Sequence, residues 1–176
     1  MRIEITEKGS DAFYREAVNF AAQYRHILKR HDCKLKDYFK EYKILMIAGA
    51  ICLVLLILSA VFWGAKPLDF VLIAALFIEV VLCWAFLRSL NKYYKSMVAD
   101  DRSTVLTFDE KGVEINKGDS QIVKMGWSNV AVVRILKEGL GFVSGDQTGM
   151  VISVTGKYQD QILAWLKENQ PQVEIC

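Results

Sequence analysis

Few residues in this 176-residue chain combine a reactive type with a suggestive position. Glu79 is the first. It stands near the middle of Leu68 to Leu87, a run with no other charge before Arg88 except Asp69 at its start. An ionised carboxylate at the centre of a bilayer costs at least ~2.5 kcal/mol. Glu79 could be protonated and hydrogen-bond to a neighbouring helix in a self-associated assembly. It could pair with a cation on a partner, line a proton or ion path, or be a tolerated neutral acid. Association is favoured, because the preceding apolar run offers no basic partner and two short spans are too few for a pathway unless several copies assemble. A tight antiparallel hairpin would set Glu79 at the level of Cys52.

The remaining candidates are weaker. His26 and His31 are five residues apart, beside Asp32 and Cys33. A zinc-binding pair on a helix wants a spacing of three or four, so this cluster does not share a face and no metal site is expected. Cys52 and Cys83 lie in apolar runs, Cys33 in a basic stretch, and Cys176 is the last residue, with no CxxC pair among them. That layout suits thiols in a reducing compartment better than a disulfide framework. No Ser-His-Asp set is suggested, no glycine-rich phosphate loop follows a strand, and Gly139-Leu140-Gly141 reads as a turn. General bases are scarce, with both histidines near the N-terminus. An enzyme is therefore not expected, no cofactor is implied, and the C-terminal part lacks the basic face that nucleic acid would need.

The elements that must position Glu79 are clear from hydropathy. Ile44 to Trp63 carries no charge. At 1.5 Å per residue it extends about 30 Å, the thickness of a bilayer's hydrocarbon core. It has no polar face, as the core helix of a globular protein would. Leu68 to Leu87 matches it, and Gly64-Ala65-Lys66-Pro67 between them is a turn with two helix breakers. The pair reads as a transmembrane helical hairpin over 44–87. Arg25, Lys29, Arg30, Lys34, Lys36, Lys40 and Lys43 precede it, and Arg88, Lys92, Lys95 and Arg102 follow. The turn offers only Lys66, balanced by Asp69, so both termini should be cytoplasmic. Tyr38, Phe39, Tyr42, Trp63, Trp84, Tyr93 and Tyr94 sit where an interfacial aromatic belt would. The first residues are polar and mixed in charge, which does not read as a cleavable signal peptide.

Residues 1–43 read as a cytoplasmic segment with an amphipathic helix from Ser10 to about Arg30. Ser10 is a plausible N-cap, and the apolar stripe is Phe13, Ala17, Phe20, Tyr24, Ile27 and Leu28. The opposite face carries Arg15, Asn19, Gln23 and Lys29. This helix could lie on the membrane surface or pack on the C-terminal domain. Its Tyr- and Ala-rich face favours packing. Arg2 to Thr6 is strand-like and could add to the C-terminal sheet.

After a juxtamembrane linker over 88–102 the period becomes two. Ser103 to Phe108, Val113 to Ile115, Gln121 to Met125, Val130 to Leu136, Phe142-Val143 and Met150 to Val154 read as short strands. Asp109 to Gly112, Gly118-Asp119 and Gly145-Asp146 read as turns. A helix over about 158–169, with the stripe Tyr158, Ile162, Trp165 and Leu166, ends before Pro171. The fold class is thus an α+β membrane protein: a two-helix transmembrane hairpin plus a small, bent antiparallel β-domain over 103–176, capped by a C-terminal helix.

The segment Leu106-Thr-Phe-Asp-Glu-Lys-Gly-Val-Glu-Ile115, the stretch Lys124-Met-Gly-Trp-Ser-Asn-Val130 and the terminal helix together resemble the YcxB-like family. Those are bacterial membrane proteins with two spans ahead of a cytosolic domain similar to bacterial pleckstrin-homology (PH) domains. The resemblance implies a PH-like fold and a place in the bacterial plasma membrane, and it brings no catalytic residues. Trp127 is then either a core anchor where sheet and helix meet or a contact for a partner, the first being favoured. Lys111, Lys117 and Lys124 could approach lipid headgroups, yet Asp109, Glu110, Glu114 and Asp119 interleave with them. The expected function is a membrane-anchored interaction or scaffold protein facing the cytosol. Its partners would be the bilayer and either a second copy or another protein. The alternative is a small oligomeric channel or transporter accessory using Glu79.

Overall fold

The computed structural model describes residues 1–5, 9–30, 36–64, 66–100, 104–116, 122–145 and 150–176. His31, Asp32, Cys33, Lys117 and the turns at Gly118-Asp119 and Asp146 lie outside the described residues, as does the side chain of His26. The chain divides into two compact units, Lys36–Tyr93 and the combination of Met1–Leu35 with Tyr94–Cys176.

The first unit is built from two long apolar helices. Helix α2 spans Tyr38–Trp63, and Asp37 caps it by accepting from Lys40 N at 3.1 Å. It stops at Gly64, whose φ of 81° lies in the left-handed region that glycine adopts without steric cost. Helix α3, Pro67–Ala99, starts on proline, whose fixed φ suits a first helical position. Its first turn is closed by Asp69, which accepts from Lys66 N at 2.8 Å. The apolar part, Leu68 to Leu87, continues without a break into the polar segment as far as Ala99.

Among its described residues the second unit holds seven strands in two antiparallel sheets. Strands β1 (Arg2–Ile5), β2 (Thr104–Phe108), β3 (Gly112–Asn116) and β4 (Ile122–Gly126) form one, in that order. Strands β5 (Val130–Ile135), β6 (Gly139–Ser144) and β7 (Val151–Thr155) form the other. The domain is therefore two sheets and not one bent sheet. The break falls at a 3-10 turn, Trp127–Asn129, which leads from β4 to β5. Strand β1 pairs with β2, Ile3 opposite Leu106, although the whole hairpin lies between them in sequence.

Helix α4, Gln159–Asn169, closes the core with Ile162 and Leu166, both at 0 % exposure. Beyond it the chain returns to the edge of β5. Val133 N donates to Glu174 O at 2.8 Å and Cys176 N to Val133 O at 2.9 Å, a short parallel pairing.

Helix α1, Asp11–Arg30, packs against β6 and β7, so the membrane-surface alternative for this helix is not what the fold adopts. Ser10 Oγ accepts from Phe13 N at 3.1 Å, as an N-cap does. Phe13, Ala17, Phe20 and Ile27 are buried, with Val18 beside them. The face expected to be polar is not all solvated. Asn19 and Gln23 are buried, and Gln23 Nε2 donates to Asn19 O at 3.1 Å, a local bond that lets an amide leave water.

Strand β6 explains a second difference. Gly139-Leu140-Gly141 is not a turn. It is the start of the central strand, buried at every position, and the turn lies just before it at Lys137-Glu138. Leu140 and Phe142 face the main core, while Gly141 and Val143 face α1. A methyl on Gly141 would come within 2.2 Å of the Phe20 ring, so close approach of the helix selects glycine there.

Candidate functional site

In the hairpin unit, the positions shielded by the opposite helix recur in steps of four and three. On α2 they are Tyr42, Met46, Gly49, Leu53, Leu56 and Ala60; on α3 they are Ile73, Leu76, Val80, Cys83, Leu87 and Leu90. This is the seam of an antiparallel helix pair, at the four-and-three spacing of helices that pack side by side. Gly49 is the buried residue of α2, and a methyl there would lie 3.0 Å from Val80 Cγ2. A small residue at such a point lets two apolar helices approach closely. At one end of the seam the rings of Tyr42 and Phe86 are 4.4 Å apart.

Glu79 sits beside this seam, half-buried next to Val80. With Gly49 against Val80, stepping one residue along each antiparallel helix brings Ala50, not Cys52, to the level of Glu79. Cys52 itself is exposed and points away from α3's packing face. Among the described residues Glu79 has no hydrogen bond or ion pair. The seam was missed in sequence because every candidate position on both helices is apolar, so hydropathy carries no phase.

In the domain, Trp127 is 8 % exposed and joins three elements. Its indole Nε1 donates to Asp109 O at 2.7 Å. Its ring lies 5.7 Å from that of Trp165 on α4 and 6.5 Å from that of Phe108 on β2. Phe108 in turn meets Phe142 of β6 at 6.0 Å. These four rings bridge both sheets and the helix, and the one polar atom of Trp127 is satisfied internally.

The charged surface around β2 to β4 carries a cross-strand ion pair. Lys124 Nζ lies 2.7 Å from Glu114 Oε2, and the two residues are cross-strand partners. That contact raises the Lys124 ammonium above its ordinary value. Asp109 is held below the usual carboxylate range because its Oδ1 accepts from Lys111 N and Gly112 N, at 2.8 and 2.9 Å. Both shifts come from strand and turn partners, not from a cleft arranged for proton transfer.

A polar cleft of about 340 Å³ opens where the start of α1 meets the β5–β6 turn and the end of β7. Ser10, Phe13, Lys137, Glu138, Lys157 and Tyr158 line it. Below it Glu16 grips the turn, its two carboxylate oxygens accepting from Lys137 N and Glu138 N at 2.9 and 2.8 Å. Among the described residues no group of three His, Cys, Asp or Glu side chains could hold a metal ion. No protein-family model matches this chain, and neither a curated protein nor a solved structure matches it.

Proposed function

We propose that this protein is a membrane-tethered interaction module: the α2–α3 hairpin spans the bacterial plasma membrane and holds the two-sheet domain, PH-like in type, at the cytosolic surface. The observation that carries this reading is the exposure of the hairpin. Only 6 % of the most apolar stretch of each helix is buried inside the protein, although both helices are long enough to cross a bilayer. The core helix of a soluble protein would be mostly covered. Here Leu55, Val61, Phe62, Leu68 and Leu82 are all at least 60 % exposed, on different sides of the pair, and lipid is the solvent that suits them.

The sheet pairing supports the topology independently of charge. Because β1 and β2 are neighbours in one sheet, the segments before and after the hairpin belong on one side of a membrane. An even number of crossings between them follows, and the excess of Lys and Arg at those ends makes that side the cytosol. Two antiparallel sheets closed by a C-terminal helix support the PH-like reading. Pairing of Lys124 with Glu114, and the inward position of Trp127, favour a protein partner over a phosphoinositide.

Alkaline extraction of membranes carrying the full chain tests the anchor, and thiol labelling tests its direction. The chain should stay in the pellet. In a background with the native cysteines replaced by serine, Lys66→Cys should react with an impermeant maleimide from outside the cell. A cysteine restored at 176 should react only after lysis. Release into the supernatant, or labelling of residue 176 in intact cells, overturns the proposal.

A further inference from the structure

We infer that the hairpin pairs with a second copy of itself through the flank of α3 that carries Glu79. This deepens the membrane reading above and rests on it. Within one chain the carboxyl is unanswered: it stands beside the α2–α3 seam, and among the described residues it has no hydrogen bond or ion pair. Both spans lack a basic residue between Lys43 and Lys66 and between Lys66 and Arg88. An unpaired polar group is costly in hydrocarbon, and an ionised one costlier still, so the carboxyl needs a partner from outside its own hairpin.

The surface around it is built for a helix. Leu68, Leu72, Ala75, Glu79 and Leu82 recur in steps of four and three, one flank round from the seam with α2. Leu68 and Leu82 are 66 % and 64 % exposed. One turn before Glu79 stands the small, exposed residue Ala75, which lets a second backbone come close.

The occupant follows from the chemistry of a protonated carboxyl. It carries one donor and one acceptor, so it is complementary to itself. Two copies inserted in the same direction are related by a two-fold axis along the membrane normal, and such an axis puts each residue at the same depth as its own counterpart. Glu79 then meets Glu79 without any further adjustment, and each acid donates to the other. A cationic partner protein would need a residue at this one depth.

Energy transfer between donor- and acceptor-labelled full chains in phosphatidylcholine–phosphatidylglycerol liposomes, measured against protein-to-lipid ratio, tests this. Glu79→Gln keeps a self-complementary donor and acceptor and should associate within about threefold of the native chain. Glu79→Leu should weaken association by about tenfold. Ala75→Leu, which obstructs the approach, should weaken it too. Phe77→Ala, on the far side of α3, should leave it unchanged. Unchanged association in Glu79→Leu, loss of association in Glu79→Gln, or a native chain that stays monomeric at every ratio overturns the pairing. Alkaline extraction of the same liposomes keeps the two ideas apart: chains that resist extraction yet do not pair refute the pairing alone, whereas chains that are extracted refute the anchor.

Discussion

The ring of Phe20, on the N-terminal helix, fills the space that a side chain at Gly141, on the central strand β6, would require. A methyl there would lie 2.2 Å from Phe20 Cε1, far inside contact distance. Gly141→Ala should therefore cost about 1–3 kcal/mol through overpacking. Phe20→Ala should cost about 3–5 kcal/mol through the cavity it leaves. The two sites are in contact, so Gly141→Ala combined with Phe20→Leu should cost clearly less than the sum of the single changes. Denaturant unfolding of the micelle-bound chain, followed by hydrogen exchange of the domain's amides, measures all of these. Additive costs would mean that the two residues do not share this space.

Trp127 has a packing role and a hydrogen-bonding role that substitution separates. Trp127→Phe keeps most of the contact with Phe108 and Trp165 but leaves the Asp109 carbonyl without its indole donor. The expected loss is about 1–3 kcal/mol. Trp127→Ala should lose about 3–5 kcal/mol. If Trp127→Ala left unfolding unchanged while a binding activity vanished, the residue would be a contact surface and not a core anchor.

Glu16 holds the β5–β6 turn from a different part of the chain. Removing it in Glu16→Ala strips the acceptor from two backbone N–H groups, at Lys137 and Glu138. Hydrogen exchange at those two amides should accelerate, with a loss of about 1–2 kcal/mol in local stability. Glu16→Gln retains one carbonyl oxygen and should fall between. Equal protection in native and Ala chains would show that the turn is self-supporting.

Asp109 supplies a pH dependence with a definite sign. Its carboxylate accepts from Lys111 N and Gly112 N, which lowers its folded value below the unfolded one of about 3.9. A depressed acid stabilises the fold fully above the unfolded value and loses that contribution as pH falls through the folded one. Stability of the domain should thus decline below about pH 4, and Asp109→Asn should flatten this part of the profile. A native slope that persists undiminished in Asp109→Asn would assign the effect to another carboxylate.

Much of this architecture can be read from local pattern. The long apolar runs, the Asp109 turn and the stripe of α4 each depend on residues close in sequence, where period and turn chemistry speak directly. The parts that escaped depend on partners far along the chain. Gly139 and Gly141 look like a turn until Phe13 and Phe20 are known to press on them. Asn19 and Gln23 look solvated until β6 and β7 cover the helix that bears them. The return of Glu174 to Cys176 along β5 has no signature, because a three-residue pairing is too short to carry a period. Glu79 was visible at once, but its place beside the seam rather than in it needed Gly49 and Val80 to set the phase.

If the hairpin is inserted as proposed, the pairing of β1 with β2 also makes completion of the first sheet depend on both spans crossing. Arg2–Ile5 precedes both apolar helices in the chain and must wait for Thr104–Phe108 before its backbone has a partner. Both long apolar helices are synthesised in that interval. If only one of the two spans crossed, the early strand and its mate would be stranded in different compartments. The first sheet would then lack its edge, and Leu106 would lose the cover of Ile3. A mis-inserted chain would thus present an incomplete domain to the cell's proteases, while a correctly threaded one would hide it.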